Sequence, residues 1–207
     1  MTRSTRTLAL ALLAPTLVVA ACKKDSDADT GGGTDTTAVM APPPPAPAAA
    51  PAAATGAVSD AQIAAIVLAA NSVDSTAGET AQQKGTNPDV KKFGQTMVTD
   101  HGGVNKQAVA LAGRLNLTPE TNPTSTQLTQ GGEQSQAQLN GLSGAAFDRA
   151  YIDHEVEYHQ TVLDALDNTL IPNAQNADLK ALLQQTRPAV AAHLQMAKDL
   201  QTRLQGS

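Results

Sequence analysis

Imidazole and carboxylate side chains interrupt the apolar faces of four segments that have helical periodicity. The set consists of Asp74, Asp100, His101, Glu155, His159 and His193. Each lies three or four residues from apolar positions of its own segment, so it can share the inward face of a helix. Helical bundles hold metals with such inward side chains, and borderline divalent ions accept mixed imidazole and carboxylate ligands. The pattern predicts these six residues as metal ligands, with Asp74 as a ligand or an outer partner, and iron, copper, zinc or manganese as the ion.

The same side chains also allow an interpretation without metal. Buried Asp and His are costly unless they are hydrogen-bonded, but these could satisfy one another. The residues of such a layer would be Asp74, His101, Tyr151, Tyr158, His159 and His193. A layer of this kind would only fix helix packing, in a non-catalytic module that is structural or binds a partner. Donor atoms from three helices that converge within about 4–5 Å would favour the metal.

Composition and motifs argue against several classes of function. The Ser, His and Asp residues form no nucleophile motif, and no Gly-x-Ser-x-Gly elbow occurs, which argues against a hydrolase. An oxidase or peroxidase needs a redox metal with an open coordination position, and the residues reveal neither. The net charge of −5, without a basic block, argues against nucleic acid as a partner. The sequence therefore favours a binding protein over an enzyme.

Capping residues mark the starts of four long helices. Ser59 and Gln62 can form a capping box, and Asn87 precedes a proline at the first helical position. The third helix is expected to begin after Ser143 and the fourth near Asn176. Apolar residues recur at helical spacing after each start, and no segment alternates like a strand.

The region between the second and third helices has a different composition. Residues 118–141 are rich in Thr, Asn and Gln and contain two prolines and a Gly-Gly pair. We interpret this region as a long crossover, with a short helix around residues 134–139. The predicted fold is all-α, a ferritin-like four-helix bundle over residues 58–207 with this crossover between helices 2 and 3.

Residues 1–21 have the features of a lipoprotein signal peptide. Arg3 and Arg6 precede an apolar run that is shorter than the roughly 20 residues needed to span a bilayer. The run ends in two alanines before Cys22, the only cysteine of the chain, which excludes an intramolecular disulfide. The sequence predicts cleavage before Cys22 and lipidation of its thiol.

We predict that residues 22–57 form a disordered tether. Their first part is rich in Gly and Thr, and the second is almost pure Pro and Ala, which favours an extended spacer. The lipid on Cys22 would supply the membrane contact. We expect a protein of the cell envelope that faces the periplasm, held by the outer membrane rather than the inner one because Lys23 follows the cysteine.

Several of these residues also resemble a known family. The matching elements are Met97-Val98-Thr99-Asp100-His101, Phe147-Asp148-x-x-Tyr151 with His159, and Pro188 followed by His193-Leu194-x-Met196-Ala197. Over about residues 59–201 the chain is similar to the bacterial envelope family called domain of unknown function 4142. The resemblance implies a ferritin-like four-helix fold, often exported or lipid-anchored, and no particular activity. Asp74 stands where that family tends to carry Glu.

Overall fold

The computed structural model describes residues 57–206, which are almost wholly helical and contain no strand. The helices are α1 (Asp60–Lys84), α2 (Pro88–Arg114), α3 (Pro123–Asn140), α4 (Gly144–Ala165), α5 (Ile171–Asn173) and α6 (Ala177–Gln205). A π-helical segment, Leu166–Leu170, joins α4 to α5. The all-α prediction is confirmed. The predicted signal peptide, Cys22 and nearly all of the tether lie outside the described residues. Within them, no helix is both long and apolar enough to span a bilayer.

The helix starts follow the capping signals of the sequence. Ser59 and Gln62 form the reciprocal capping box of α1. The side chains of Asn87 and Asn176 accept backbone N–H groups in the first turns of α2 and α6. Ser143 is the N-cap residue of α4, although its side chain makes no capping bond. Side-chain capping therefore sets where α1, α2 and α6 begin, and α4 begins at the predicted residue without such a bond.

The predicted crossover is helical over most of its length, because α3 covers 18 residues where we expected a short helix around residues 134–139. Asn122 and Ser125 form a capping box, and Pro123 occupies the first helical position. Leu128 and Leu139 are its only buried apolar residues, so hydrophobic periodicity is weak here. The crossover is thus a fifth long helix, which packs mainly on α1.

Two apolar clusters lie on either side of a polar layer in the interior. The first includes Ile63, Ile66, Val67, Ala70, Ala108, Leu111, Leu166, Leu170, Leu183 and Val190. The second includes Ala77, Val90, Phe93, Met97, Phe147, Tyr151, Ile152, Ala197 and Leu200. Three polar residues lie between the two clusters: Asp74 on α1, His101 on α2 and His193 on α6. Burial of large apolar side chains, worth about 1.5–3 kcal/mol each, holds the helices together around these polar residues.

Two glycines bring α1 and α2 into backbone contact. A Cβ atom on Gly78 would come within 2.6 Å of the Gly94 carbonyl oxygen, and one on Gly94 within 2.7 Å of the Gly78 carbonyl oxygen. Neither carbonyl can move aside without shifting its helix. The close approach fixes the antiparallel register of the two helices. Asp74 lies one helical turn before Gly78, and His101 lies one turn after Met97. The register set by the glycines therefore brings Asp74 opposite His101.

Asp148 of α4 holds the turn between α1 and α2. Its buried carboxylate accepts the backbone N–H groups of Thr86 and Asn87, each at 2.9 Å, and the Thr86 hydroxyl at 2.5 Å. We expect Asp148→Ala to lower the free energy of unfolding by about 2 kcal/mol, because it leaves two N–H groups without an acceptor. Urea denaturation would measure the loss. Glu157→Ala, at an exposed position of the same helix, is the control, and an equal loss in both variants would contradict this role.

Candidate metal centre

Three imidazole rings converge in the polar layer. The ring centroids of His101, His159 and His193 are 5.2–5.5 Å apart. The three residues come from α2, α4 and α6, and each is 1–3 % exposed. One donor nitrogen from each ring lies within 4.8 Å of the other two. Such a triangle can surround one ion, because the metal–nitrogen bonds of transition metals are about 2 Å long.

A hydrogen bond at one nitrogen orients each of the three rings. Nδ1 of His101 lies 2.8 Å from the Asn71 Oδ1, Nδ1 of His159 lies 3.0 Å from the Glu155 backbone oxygen, and Nε2 of His193 lies 3.0 Å from the Asp100 Oδ2. Each partner is an acceptor, so each of these nitrogens donates. In the neutral rings the lone pairs are then on His101 Nε2, His159 Nε2 and His193 Nδ1. These three buried atoms have no hydrogen-bond partner among residues 57–206.

Two buried carboxylates adjoin the imidazoles. Asp74 and Glu155 are 2 % and 0 % exposed, and they form a second group of donor atoms within 4.8 Å together with His159. Asp74 Oδ2 lies 3.5 Å from His101 Nδ1, and Glu155 Oε2 lies 3.2 Å from His159 Nδ1. Asp74 Oδ1 and both Glu155 carboxylate oxygens accept no hydrogen bond within the described part of the chain. Buried oxygens without partners are costly, and a cation would compensate them.

The electrostatics of the layer keep one ring neutral and another charged. Burial lowers the pKa of His101 to about 3, with further lowering by His159 and His193. Burial also opposes the charge of His159, but Asp74 and Glu155 outweigh it and raise the pKa of His159 to about 9. Burial raises the pKa of Asp74 well above its usual range, although His159 opposes this shift. Among residues 57–206, His159 is the cation that faces the two carboxylates, and with a pKa of about 9 it carries a proton at neutral pH.

Asp100 lies apart from the other predicted ligands. The structure brings Asp74, His101, Glu155, His159 and His193 together, whereas the Asp100 side chain is 47 % exposed and belongs to neither donor group. Its carboxylate instead accepts the hydrogen bond from His193 that sets the orientation of that ring. Partners of this kind tune a metal site although they do not touch the ion.

Sequence reasoning missed Asn71. This residue is buried on α1, and its amide nitrogen donates to the Val67 carbonyl oxygen at 2.7 Å while its amide oxygen faces His101. The signal was present, because Asn71 lies four residues after Val67 and three before Asp74, on the same helical face. Tyr151 also borders the layer, with a buried hydroxyl that has no partner among residues 57–206.

Comparisons with known proteins bear on the family but not on the activity. The model of a family described as a domain of unknown function (DUF4142) matches residues 43–200, which include every residue of the polar layer. The resemblance that the sequence motifs indicated is therefore confirmed. No curated protein and no solved structure matches the chain.

Proposed function

The chain belongs to the domain of unknown function 4142 family, and we propose that its helical domain binds one transition-metal ion through His101, His159 and His193. One observation carries the proposal: three buried imidazoles from three helices converge, and each has one nitrogen hydrogen-bonded to an acceptor and the other without a partner among residues 57–206. This is the arrangement by which proteins orient histidine ligands.

Charge supports a cation in this layer. Burial raises the pKa of Asp74 well above its usual range, and the metal-free layer pairs Glu155 with the protonated His159. An ion that displaces the His159 proton would supply positive charge in its place. Imidazole and carboxylate ligands suit zinc, copper, iron and manganese, so these four ions are the ones to test. Asp74 and Glu155 form a separate donor group with His159, and they contact Nδ1 of His101 and Nδ1 of His159, not the nitrogens assigned to the ion. The three histidines are therefore the proposed ligands.

The alternative, a polar layer that only fixes helix packing, accounts for part of the geometry. The bonds from His101 to Asn71 and from His193 to Asp100 join α2 to α1 and to α6. A purely structural layer would, however, pair its buried polar atoms, and here three ring nitrogens and the oxygens Asp74 Oδ1 and Glu155 Oε1 have no hydrogen-bond partner in residues 57–206. The unpaired atoms favour metal binding over this alternative.

Metal content tests the proposal directly. We expect the protein purified without chelator, or reloaded with each of the four ions in turn, to hold about one ion per chain by mass spectrometry. The double variant His159→Ala/His193→Ala should hold none while it remains helical by circular dichroism. His154→Ala is the matched control, because His154 is the histidine that lies outside both donor groups. A parent protein that binds none of the four ions at micromolar concentration would refute the proposal.

Binding should also release protons. At pH 7 His159 carries a proton, since Asp74 and Glu155 raise its pKa to about 9 despite the burial that opposes its charge, and the ion must displace this proton to use Nε2. We expect at least one proton released per ion at pH 7, and an affinity that rises about tenfold per pH unit and levels off above pH 9. Calorimetry in buffers of different ionisation enthalpy counts the protons. A count of zero, with equal affinity at pH 6 and pH 8, would show that His159 is not a ligand.

We also propose that this domain works at the cell envelope, tethered by residues 22–57 to a lipid on Cys22. The support is the sequence pattern of residues 1–22. The parent chain would then fractionate with membranes, and Cys22→Ser would release it. A Cys22→Ser chain that stays with the membranes would contradict the anchor.

A further inference from the structure

The metal centre is buried, and one hydrogen-bond partner of its histidines reaches the surface. Its five imidazole and carboxylate side chains are 0–3 % exposed. His101 is held by the buried Asn71, and His159 by a backbone carbonyl of its own helix. Only the partner of His193, Asp100, extends to the surface. The Asp100–His193 hydrogen bond between α2 and α6 is thus a polar connection between bulk water and the centre.

Both helices that carry this pair are weakened beside it. Gly102 and Gly103 follow Asp100 and His101 on α2, and a Cβ atom on either would meet nothing within 4 Å, so packing does not require glycine there. Each glycine disfavours the helical state by about fivefold relative to alanine. On α6, Pro188 cannot donate a backbone hydrogen bond, and it lies five residues before His193. Both helices thus carry residues that disfavour the helical state close to the Asp100–His193 pair.

We infer that hydrated divalent cations reach the centre between α2 and α6. Asp100 captures the cation at the surface, and a local opening of the Gly102-Gly103 turn lets it pass to His193. This inference rests on the proposed function. It assigns Asp100 a role in the rate of uptake, and it explains two glycines in the middle of a 27-residue helix that steric contact does not require.

The capture step can be tested with Asp100→Asn, which removes the charge but keeps an oxygen that can accept the His193 hydrogen bond. Stopped-flow mixing with Co²⁺, whose visible absorption changes on coordination, gives the association rate. We expect this rate to fall about tenfold at low salt and to approach the parent rate at 1 M salt, because salt screens exposed charges. Glu79→Gln removes one exposed charge from α1 and should leave the rate within twofold.

The opening step can be tested with Gly102→Ala/Gly103→Ala. Alanine stabilises the closed helix equally with and without the ion, so association and dissociation should both slow by roughly 5- to 25-fold while the dissociation constant stays the same. Gly113→Ala is the control on the same helix, since a Cβ atom there also meets nothing within 4 Å. It should change neither rate by more than twofold.

The outcomes separate this inference from the proposed function. Parent-like rates in either test variant, in a protein that binds Co²⁺ at equilibrium, overturn the route and leave the metal centre in place. A parent protein that shows no Co²⁺ binding at equilibrium, and no binding of the four ions named above, overturns the proposed function and the route together. Slower uptake in both variants, with parent-like rates in both controls, supports the route.

Discussion

Saturating Zn²⁺ is expected to raise the melting temperature of the metal-free protein by roughly 8–16 °C. An ion that binds only the folded state stabilises it by RT ln(1 + [L]/Kd), about 4 kcal/mol at a concentration 1,000 times the dissociation constant. For a domain of this size, each kcal/mol moves the melting temperature by about 2–4 °C. The ion would also compensate the unpaired oxygens of Asp74 and Glu155, which are buried at a cost in the metal-free state.

The parent and the variants are compared by the change in melting temperature that added Zn²⁺ causes, not by their melting temperatures without metal. His159→Ala/His193→Ala removes two buried rings and should melt lower than the parent even without metal, because it leaves cavities. Added Zn²⁺ should then change its melting temperature by less than 2 °C. His154→Ala should keep the full shift. Equal shifts in the parent and the double variant would mean that Zn²⁺ binds elsewhere.

Gly94→Val is expected to lower the free energy of unfolding by about 4 kcal/mol, more than most single substitutions. A Cβ atom at this position would lie 2.7 Å from the Gly78 carbonyl oxygen and 2.8 Å from the Ala81 Cβ, so α1 and α2 must separate to admit it. The separation would also carry Asn71 and Asp74 away from His101. We therefore expect weaker metal binding in whatever fraction of the variant remains folded.

Denaturation with urea measures the effect on stability, and metal titration of the folded fraction measures the effect on the site. Gly113→Val is the matched control, because it makes the same change on the same helix where a Cβ atom meets nothing within 4 Å. Its loss should stay near or below about 1 kcal/mol. A Gly94→Val protein as stable as Gly113→Val would show that the glycine contact does not hold the two helices together.

The sequence predicts where four of the long helices begin, but it does not predict that the crossover is a fifth long helix. Capping residues are local signals, so Ser59, Asn87, Ser143 and Asn176 mark four helix starts correctly. The helix α3 carries the same kind of signal at its first residues, but it buries few apolar side chains, and periodicity analysis depends on those. A helix that packs on one neighbour through small and polar residues gives a weak pattern.

The candidate site could likewise be predicted only in part. Helical spacing places Asp74, Glu155, His159 and His193 on inward faces, and the structure brings them together. Adjacent residues differ by about 100° around a helix, so spacing alone could not decide between Asp100 and His101. That choice depends on the rotation of α2 against α1, which the Gly78–Gly94 contact sets through atoms of the backbone. A contact between residues distant in sequence thus determines that His101, and not Asp100, faces the interior.

The split of the centre between two helical hairpins has a consequence for folding kinetics. The α1–α2 hairpin supplies Asp74 and His101, while the α4–α6 hairpin supplies Glu155, His159 and His193. Contacts within each hairpin join segments that are near in sequence, and such contacts form early in folding. The three-histidine site is complete only after the two hairpins dock, so the ion's interactions are absent from an early transition state. A bound ion would therefore lengthen the lifetime of the native state by slowing unfolding, and it would leave the folding rate almost unchanged.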